Sequence, residues 1–404
     1  MEDEVSDEER RRLTQRERRG DRGTQRRSKG NILGEERHGP AFGWAGGCVG
    51  GSLGWYAVGM ANVREAGCVP VATLAGPVEF RGVGLFSGAA VRLVVRAASE
   101  AERGVMATVS GVSAGGGGVT GGGGAAGVGS GGGWYGVIAT VGGVAGALSV
   151  LSTERVVARA RHTAVGLEGG MVLATTEHVI SALAGCGVNA CVMEIDGLEM
   201  PLLDGSAVEF ARAIMAAGVV KCGGVVGSGV NRDGGLRVLR GDRPITIVEG
   251  NAEIVYLPPA AGDAPGTLGL RYELDYGAGS PIGPHAAEFV HHHDGSSARA
   301  YVAEIAAART FCTLSEAEAM RASGIFGHLQ ARDVLVIGPR GPVDTAYRLE
   351  CEPARHKVLD MLGDLTLCGW AIEGRVVGRR SGHGMNHALA RSLVGALAGS
   401  GGLR

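Results

Sequence analysis

Val78-Glu79-Phe80-Arg81-Gly82-Val83-Gly84-Leu85-Phe86-Ser87-Gly88-Ala89-Ala90-Val91-Arg92-Leu93-Val94-Val95 reads as two strands joined by a turn. Apolar residues recur at Val78, Phe80 and Val83, then at Val91, Leu93 and Val95, and Gly82, Gly84 and Ser87-Gly88 supply the turn signals between them. That spacing is the period of a strand, not of a helix. Working outward, the pattern predicts a helix over 176–184, a strand over 190–195, a turn at Asp196-Gly197 and a helix over 207–217. The second half repeats the mixture, with strands over 236–239, 246–249, 252–257, 269–275 and 334–337 and helices over 315–322, 352–367 and 386–398. Strands and helices segregate instead of alternating one for one, which predicts α+β layers and not a doubly wound sheet.

The chain has 404 residues, 45% of them hydrophobic and 20% charged, so it is a soluble globular chain long enough for two domains. Its 73 glycines follow no Gly-X-Y period, which excludes collagen and points to swollen, low-complexity loops. Between 111 and 133, fourteen of 23 positions are glycine, a composition that cannot bury enough apolar surface to offset chain entropy. A net charge of -2 gives no overall basic field, so nucleic acid is not an expected partner. Eight scattered cysteines without a CxxC pair read as reduced thiols, most of them buried, and not as a zinc finger. The first forty residues start acidic (Glu2, Asp3, Glu4, Asp7, Glu8, Glu9) and continue into an arginine-rich run over 10–27 with no secretory core, so export is not expected. The stretches 39–63 and 134–151 are uncharged, but glycine and alanine dominate them and transfer to lipid is weakly driven, so no transmembrane span is expected. The resulting division is a disordered or low-complexity extension over 1–69, a first α+β domain over 70–218 with a Gly-rich insertion at about 104–151, a linker over 219–235, a second α+β domain over 236–398 and a tail over 399–404.

Three segments carry candidate chemistry. In Arg355-His356-Lys357-Val358-Leu359-Asp360-Met361-Leu362-Gly363-Asp364, a rotation of about 100° per residue puts His356, Asp360 and Asp364 on one helical stripe, with Lys357 beside it. A His and an Asp one turn apart can share a divalent metal, although such a pair on a helix is usually just solvated. In Thr175-Thr176-Glu177-His178-Val179-Ile180-Ser181-Ala182-Leu183, a carboxylate and an imidazole share a helix start. If His178 joins His356 and Asp360, the three make a site with one open position, and Glu177 stands beside it as a general base. In Ser381-Gly382-His383-Gly384-Met385-Asn386, a histidine lies in a Gly-flanked turn before a helix, where an acid such as Asp364 could keep it cationic. The run His291-His292-His293 reads as a solvated loop, and Ala308-Arg309-Thr310-Phe311 says little by itself.

Taken together, these segments resemble the UDP-3-O-acyl-N-acetylglucosamine deacetylase family, the zinc amidases of lipid A synthesis. The resemblance rests on motifs that follow in order over about 70–398: Thr73-Leu74, the turn 82–88, Thr176-Glu177-His178 and the run from Glu194 through Asp204-Gly205-Ser206-Ala207, then Ala308-Arg309-Thr310-Phe311, Arg355-His356-Lys357 with Asp360, Gly363-Asp364, and Ser381-Gly382-His383 with Asn386. It implies two similar two-layer domains with helices sandwiched between sheets and the active site between them. One zinc per chain is implied on His178, His356 and Asp360, with Glu177 activating the water at the metal. His383, kept charged by Asp364, is the implied electrostatic or general-acid partner, and Thr310 donates to the oxyanion. Lys357 lies near the sugar or diphosphate and Phe311 near the acyl or acetamide end of a UDP-linked acylated glucosamine, which loses acetate. The implied enzyme is a monomer.

Two departures stand out. The family usually has histidine in the turn where this chain has Phe86, and the segment Phe326-Gly327-His328-Leu329-Gln330-Ala331-Arg332-Asp333 replaces a usual G-G-S-x-D/E-N-A pattern. With the insertion and the N-terminal extension they suggest a plant or algal-type homologue in the mitochondrion, and otherwise a cytoplasmic protein. The competing reading is a catalytically weak or inactive homologue that binds a sugar nucleotide or acyl chain.

Overall fold

The computed structural model describes residues 56–58, 61–109, 134–222, 235–324, 326–330 and 333–399. Most of the expected extension, the glycine-dense centre of the insertion, most of the linker and residues 400–404 lie outside the described residues. The longer strands are β1 (Val63–Pro70), β2 (Val78–Val83), β3 (Ala90–Arg96), β4 (Trp134–Val141), β5 (Ala190–Ile195), β6 (Gly235–Gly241), β7 (Ile245–Glu249), β8 (Ala252–Leu257), β9 (Thr267–Leu274), β10 (His285–His292), β11 (Phe311–Thr313), β12 (Leu335–Gly338) and β13 (Ala371–Arg379). The helices are α1 (Glu100–Val109), α2 (Glu177–Gly185), α3 (Val208–Ala217), α4 (Ala298–Glu304), α5 (Leu314–Ala322), α6 (Glu352–Thr366) and α7 (His383–Gly399).

The stretch 78–95 forms the expected hairpin: β2 and β3 pair antiparallel with Phe80 opposite Leu93. They begin a six-stranded sheet in the order β2-β3-β5-β4, completed by the short strands Val144–Ala145 and Ser149–Val150. An eight-stranded sheet runs from Tyr56–Val58 through β7, β8, β13 and β6 to β1, with β9 paired to β13 and β10 to β9. Helices fill the space between. α3 packs on β2 and α2, while α6 meets α2, α7, β9 and β10, and α7 covers β7, β8 and β1. The α+β class expected from the element pattern is the one observed.

Several expectations change. Residues 56–58 and 63–69, assigned to the extension, belong to two strands of the larger sheet, because Val63 is fully buried there and β1 pairs with β6. Residues 134–141, assigned to the insertion, are the inner strand β4, parallel to β5 with Val137 opposite Met193. Tyr135, Val137 and Ala139 are buried, and a buried parallel strand needs no polar alternation, so its sequence looked like apolar padding. His291 lies within strand β10 and is buried, and the ring of His293 donates to Ile372 O at 2.8 Å, so this run is not a solvated loop. Of the seven cysteines described, all are unpaired and Cys186, Cys191, Cys312 and Cys368 are buried. No described helix is long and apolar enough to cross a membrane.

α6 decides where the site lies. Val358, Leu359, Met361, Leu362 and Leu365 are buried as its pattern predicts, but so are His356, Asp360 and Asp364, because α2 and α7 close over the face that would have been solvated. At Gly363 an added Cβ would lie 2.3 Å from the carbonyl oxygen of Glu177. Only glycine lets the α6 backbone approach the first turn of α2 so closely, and that approach brings Glu177 and His178 to the polar stripe.

Candidate metal centre

His178, in the first turn of α2, and His356 and Asp360, one turn apart on α6, offer three ligand atoms that all lie within 4.8 Å of one another. Asp360 Oδ1 is 3.4 Å from His356 Nε2 and 3.8 Å from His178 Nε2. His356 Nδ1–H donates to Ala308 O at 3.1 Å, which leaves the Nε2 lone pair facing Asp360. Asp360 Oδ1 is buried without a hydrogen-bond partner, while Oδ2 accepts from Lys357 Nζ at 3.0 Å. An orphaned carboxylate oxygen facing two imidazole nitrogens is a costly arrangement for a protein alone and a suitable one for a divalent cation. Burial, and then the neighbouring His356, push the His178 pKa down to about 3, so both nitrogens present lone pairs at neutral pH. The carboxyl of Asp360 is held below its usual range: burial opposes this, and His356, Lys357 and His383 outweigh it.

An acid–base network adjoins this cluster. Glu177 is buried, and desolvation raises its pKa to about 8. Its Oε2 accepts from the backbone N–H of Thr163 at 3.0 Å. His383 opens α7, and its Nδ1 lies 2.8 Å from Asp364 Oδ2, which also accepts from Asn386 Nδ2 at 2.8 Å. Burial alone would lower the His383 pKa, but Asp364 and Asp360 raise it to about 9, so the ring is an imidazolium at neutral pH. Its Nε2 is 3.9 Å from Asp360 Oδ2.

Thr310 and Phe311 reach the cluster through a buried ion pair. Glu352, the first residue of α6, accepts from the Arg309 backbone N–H at 3.1 Å, from Nε at 2.8 Å and from the Arg348 N–H at 2.7 Å. That clamp pins the 309–311 segment against the helix carrying two of the candidate ligands. The Thr310 hydroxyl is 3.4 Å from both His178 Nε2 and His356 Nε2. The Phe311 ring stands edge-on to His356 at 6.0 Å, and Lys357 Nζ lies 5.7 Å over that ring.

A family model described as LpxC, UDP-3-O-acyl N-acetylglycosamine deacetylase, matches residues 136–395, more than half of the chain. The chain belongs to this deacetylase family. A protein of Anaeromyxobacter dehalogenans (strain 2CP-C) named UDP-3-O-acyl-N-acetylglucosamine deacetylase is 36% identical over 247 residues, 60% of this chain and 71% of that protein. One of the same name from Phenylobacterium zucineum (strain HLK1) is 30% identical over 323 residues, covering 80% of this chain and 92% of its own length. A third, from Geobacter sp. (strain M21), is 31% identical over 57% of this chain and 69% of the relative. These relatives are bacterial, and they lend no support to a mitochondrial location.

All nine candidate residues taken from the deacetylase-family motifs converge. The Lys357 ammonium is bonded to Asp360 and not freely presented to a sugar or diphosphate. The two departures from the family pattern also meet. The Phe86 ring lies 4.6 Å from His162 and 5.7 Å from Phe326, and His328 Nε2–H donates to Gly84 O at 3.1 Å. The turn itself hangs on Glu199, whose oxygens accept from the N–H groups of Phe86 at 2.8 Å and Ser87 at 2.9 Å. A cavity of about 440 Å³ borders the turn, lined in part by Phe86, Ser87, His162 and Leu198. Sequence reading missed Thr163 and His387. Thr163 carries no motif of its own and bonds Asp364 across 201 positions, so nothing local could have flagged it.

Proposed function

We propose that this member of the family is a zinc-dependent amidohydrolase that removes the N-acetyl group of UDP-3-O-acyl-N-acetylglucosamine, an early committed step of lipid A biosynthesis. Water and the amide become acetate and a sugar-nucleotide amine. The observation that carries this reading is the orphaned Asp360 Oδ1 facing two imidazole nitrogens, with Glu177 adjacent in sequence to one of them. His178, His356 and Asp360 are the residues that would hold the ion. When bound, zinc supplies a Lewis acid that polarises the amide carbonyl and makes water easier to deprotonate.

The remaining steps belong to side chains of this chain. Glu177 accepts the proton of the attacking water, and the Thr163 amide fixes one of its oxygens for that task. The Thr310 hydroxyl and the His383 imidazolium face the position where negative charge develops on the carbonyl oxygen, and preorganised donors of this kind are worth most in a dry site. His383 then supplies a proton so that nitrogen departs as an amine, and Asp364 keeps the ring oriented and charged. Phe311 offers an apolar wall for the acyl or acetamide end. Lys357 both neutralises Asp360 and brings positive charge toward the sugar or diphosphate.

The decisive experiment is metal analysis of the purified chain together with acetate release from the UDP-sugar. One zinc per chain is expected, with turnover that stops on chelation. Glu177→Ala is expected to keep the metal and lose activity by at least about a hundredfold; full activity in that variant overturns the assigned base. A second reading, a homologue that binds the substrate without turning it over, draws on the Phe86–His162–Phe326 cluster. Saturable binding of the UDP-sugar with no acetate release selects it. A monomer, in the mitochondrion if the chain is of plant or algal type and otherwise in the cytoplasm, is the corresponding proposal for state and place, tested by light scattering and cell fractionation.

A further inference from the structure

The scheme above uses His383 and Asp364 and leaves a second buried imidazole on the same carboxylate without a task. His387 lies one turn after His383 on α7 and is 1% exposed. Its Nε2 is 3.0 Å from Thr163 Oγ1 and 3.4 Å from Asp364 Oδ1. Its Nδ1 is buried with no hydrogen-bond partner. A neutral imidazole carries one N–H, and an N–H buried without an acceptor loses a bond that Thr163 offers to the other nitrogen. The proton therefore sits on Nε2 and is donated to Thr163 Oγ1. The Thr163 hydroxyl in turn donates its own hydrogen to Asp364 Oδ1, 2.5 Å away. Asp364 Oδ2 takes the His383 and Asn386 donors, so each oxygen of this fully buried carboxylate has its own assignment. Burial keeps His387 neutral against the pull of Asp364, and His383 and Arg391 add positive charge on the same side of that balance.

Thr163 has a second bond of a different kind. Its backbone N–H holds Glu177 Oε2. One residue thus touches the proposed base through its main chain and the partner of the proposed acid through its side chain.

We infer that His387 is a positioning residue: by donating to the Thr163 hydroxyl it fixes the rotation of the Asp364 carboxylate, and through it the ring of His383, in register with Glu177. This inference rests on the deacetylase reading for its effect on turnover, but not for the hydrogen-bond chain itself. A packing role alone asks only for a side chain of similar volume; the chain described here asks for a donor at the place of Nε2.

The test compares Thr163→Val, which removes the hydroxyl and keeps shape and main chain, with His387→Leu and His387→Gln, of which only glutamine can return an N–H to that place. The first readout is the low-field Nδ1–H proton resonance of His383 in metal-free protein labelled with nitrogen-15 histidine. It is expected to persist in wild type and His387→Gln and to broaden into solvent exchange in Thr163→Val and His387→Leu. The second is steady-state acetate release with metal present. Outer partners of this type typically set rates by about ten- to a hundredfold, so kcat is expected to fall about tenfold in the two disrupting variants, with KM and metal content unchanged and glutamine restoring most of the rate. A sharp His383 resonance in all variants, or equal rates for leucine and glutamine, overturns the inference. Should His387→Leu fail to fold, the near-isosteric Thr163→Val decides the matter. A broadened resonance in a chain that releases no acetate even as wild type sinks the deacetylase reading and leaves the network standing; normal turnover with unchanged resonances does the reverse.

Discussion

Glu177 is buried and His383 partly buried within one site, yet their environments pull their protons in useful directions. Desolvation lifts Glu177 to about 8, and a divalent cation on the adjacent His178 pulls it back down, since positive charge favours the carboxylate. His383 is raised to about 9, so its proton is present at neutral pH and is lost as pH climbs through that value. Base free and acid charged coexist between the two limits. A bell-shaped profile of kcat/KM is therefore expected, rising below pH 8 and falling near pH 9, and His383→Gln should lower the plateau and abolish the falling limb. A rate that still climbs beyond pH 10 contradicts the role given to His383. At this scale the sequence was informative where motif residues sit beside each other, as Glu177 and His178 do, or one turn apart, as His356 and Asp360 do. It was silent on Thr163 and His387, whose partners are set by how α6 and α7 stack. It left the surroundings of Asp360 open, because a stripe of His and Asp looks the same whether water or another helix covers it.

Among the elements, the crossing of α2 and α6 governs whether a site exists at all. The space at Gly363 is taken by backbone, and backbone cannot rotate out of the way. Gly363→Ala is expected to destabilise the fold by about 1–3 kcal/mol, the usual cost of forcing extra volume into a packed interior, and to lower metal affinity as α2 is pushed from α6. Thermal melts with and without zinc check both effects; an unchanged melting temperature and stoichiometry would mean the helices are less closely held than described. Hairpin 78–95 and β5 were readable because one face alternates or because turn residues bracket the run. β4 was not, since a strand buried on both faces has no alternation and here follows a glycine tract that suggests loop. β10 was hidden by its histidines, of which His291 turns inward against expectation. Where burial of polar residues departs from the usual rule, patterns based on that rule fail.

For the molecule as a whole, those same histidines make stability depend on acidity. His291 and His293 stack edge to face 4.6 Å apart and are held neutral by burial, His293 with a pKa of about 4 and His291 well below its ordinary value. In the unfolded chain both protonate near 6.5, so as pH falls from there toward 4 the unfolded state takes up protons that the folded state refuses. Each of the two is expected to remove up to about 1.4 kcal/mol of stability per pH unit across that window. Urea midpoints at pH 7 and pH 5 measure it, and His291→Phe should flatten the slope relative to wild type; an equal slope in both proteins refutes this account.

The pairing of β1 with β6 joins segments far apart in the sequence in a way that matters during synthesis. A chain emerging from the ribosome offers residues 63–70 early, but their neighbour arrives more than 160 residues later, and the larger sheet cannot close until β13 follows it. The smaller sheet, made from one continuous stretch of chain, can assemble while that first strand waits. Removing residues 1–70 would then leave β6 with a row of naked amides along an outer edge, and self-association of the truncated protein, visible by light scattering, is the expected outcome.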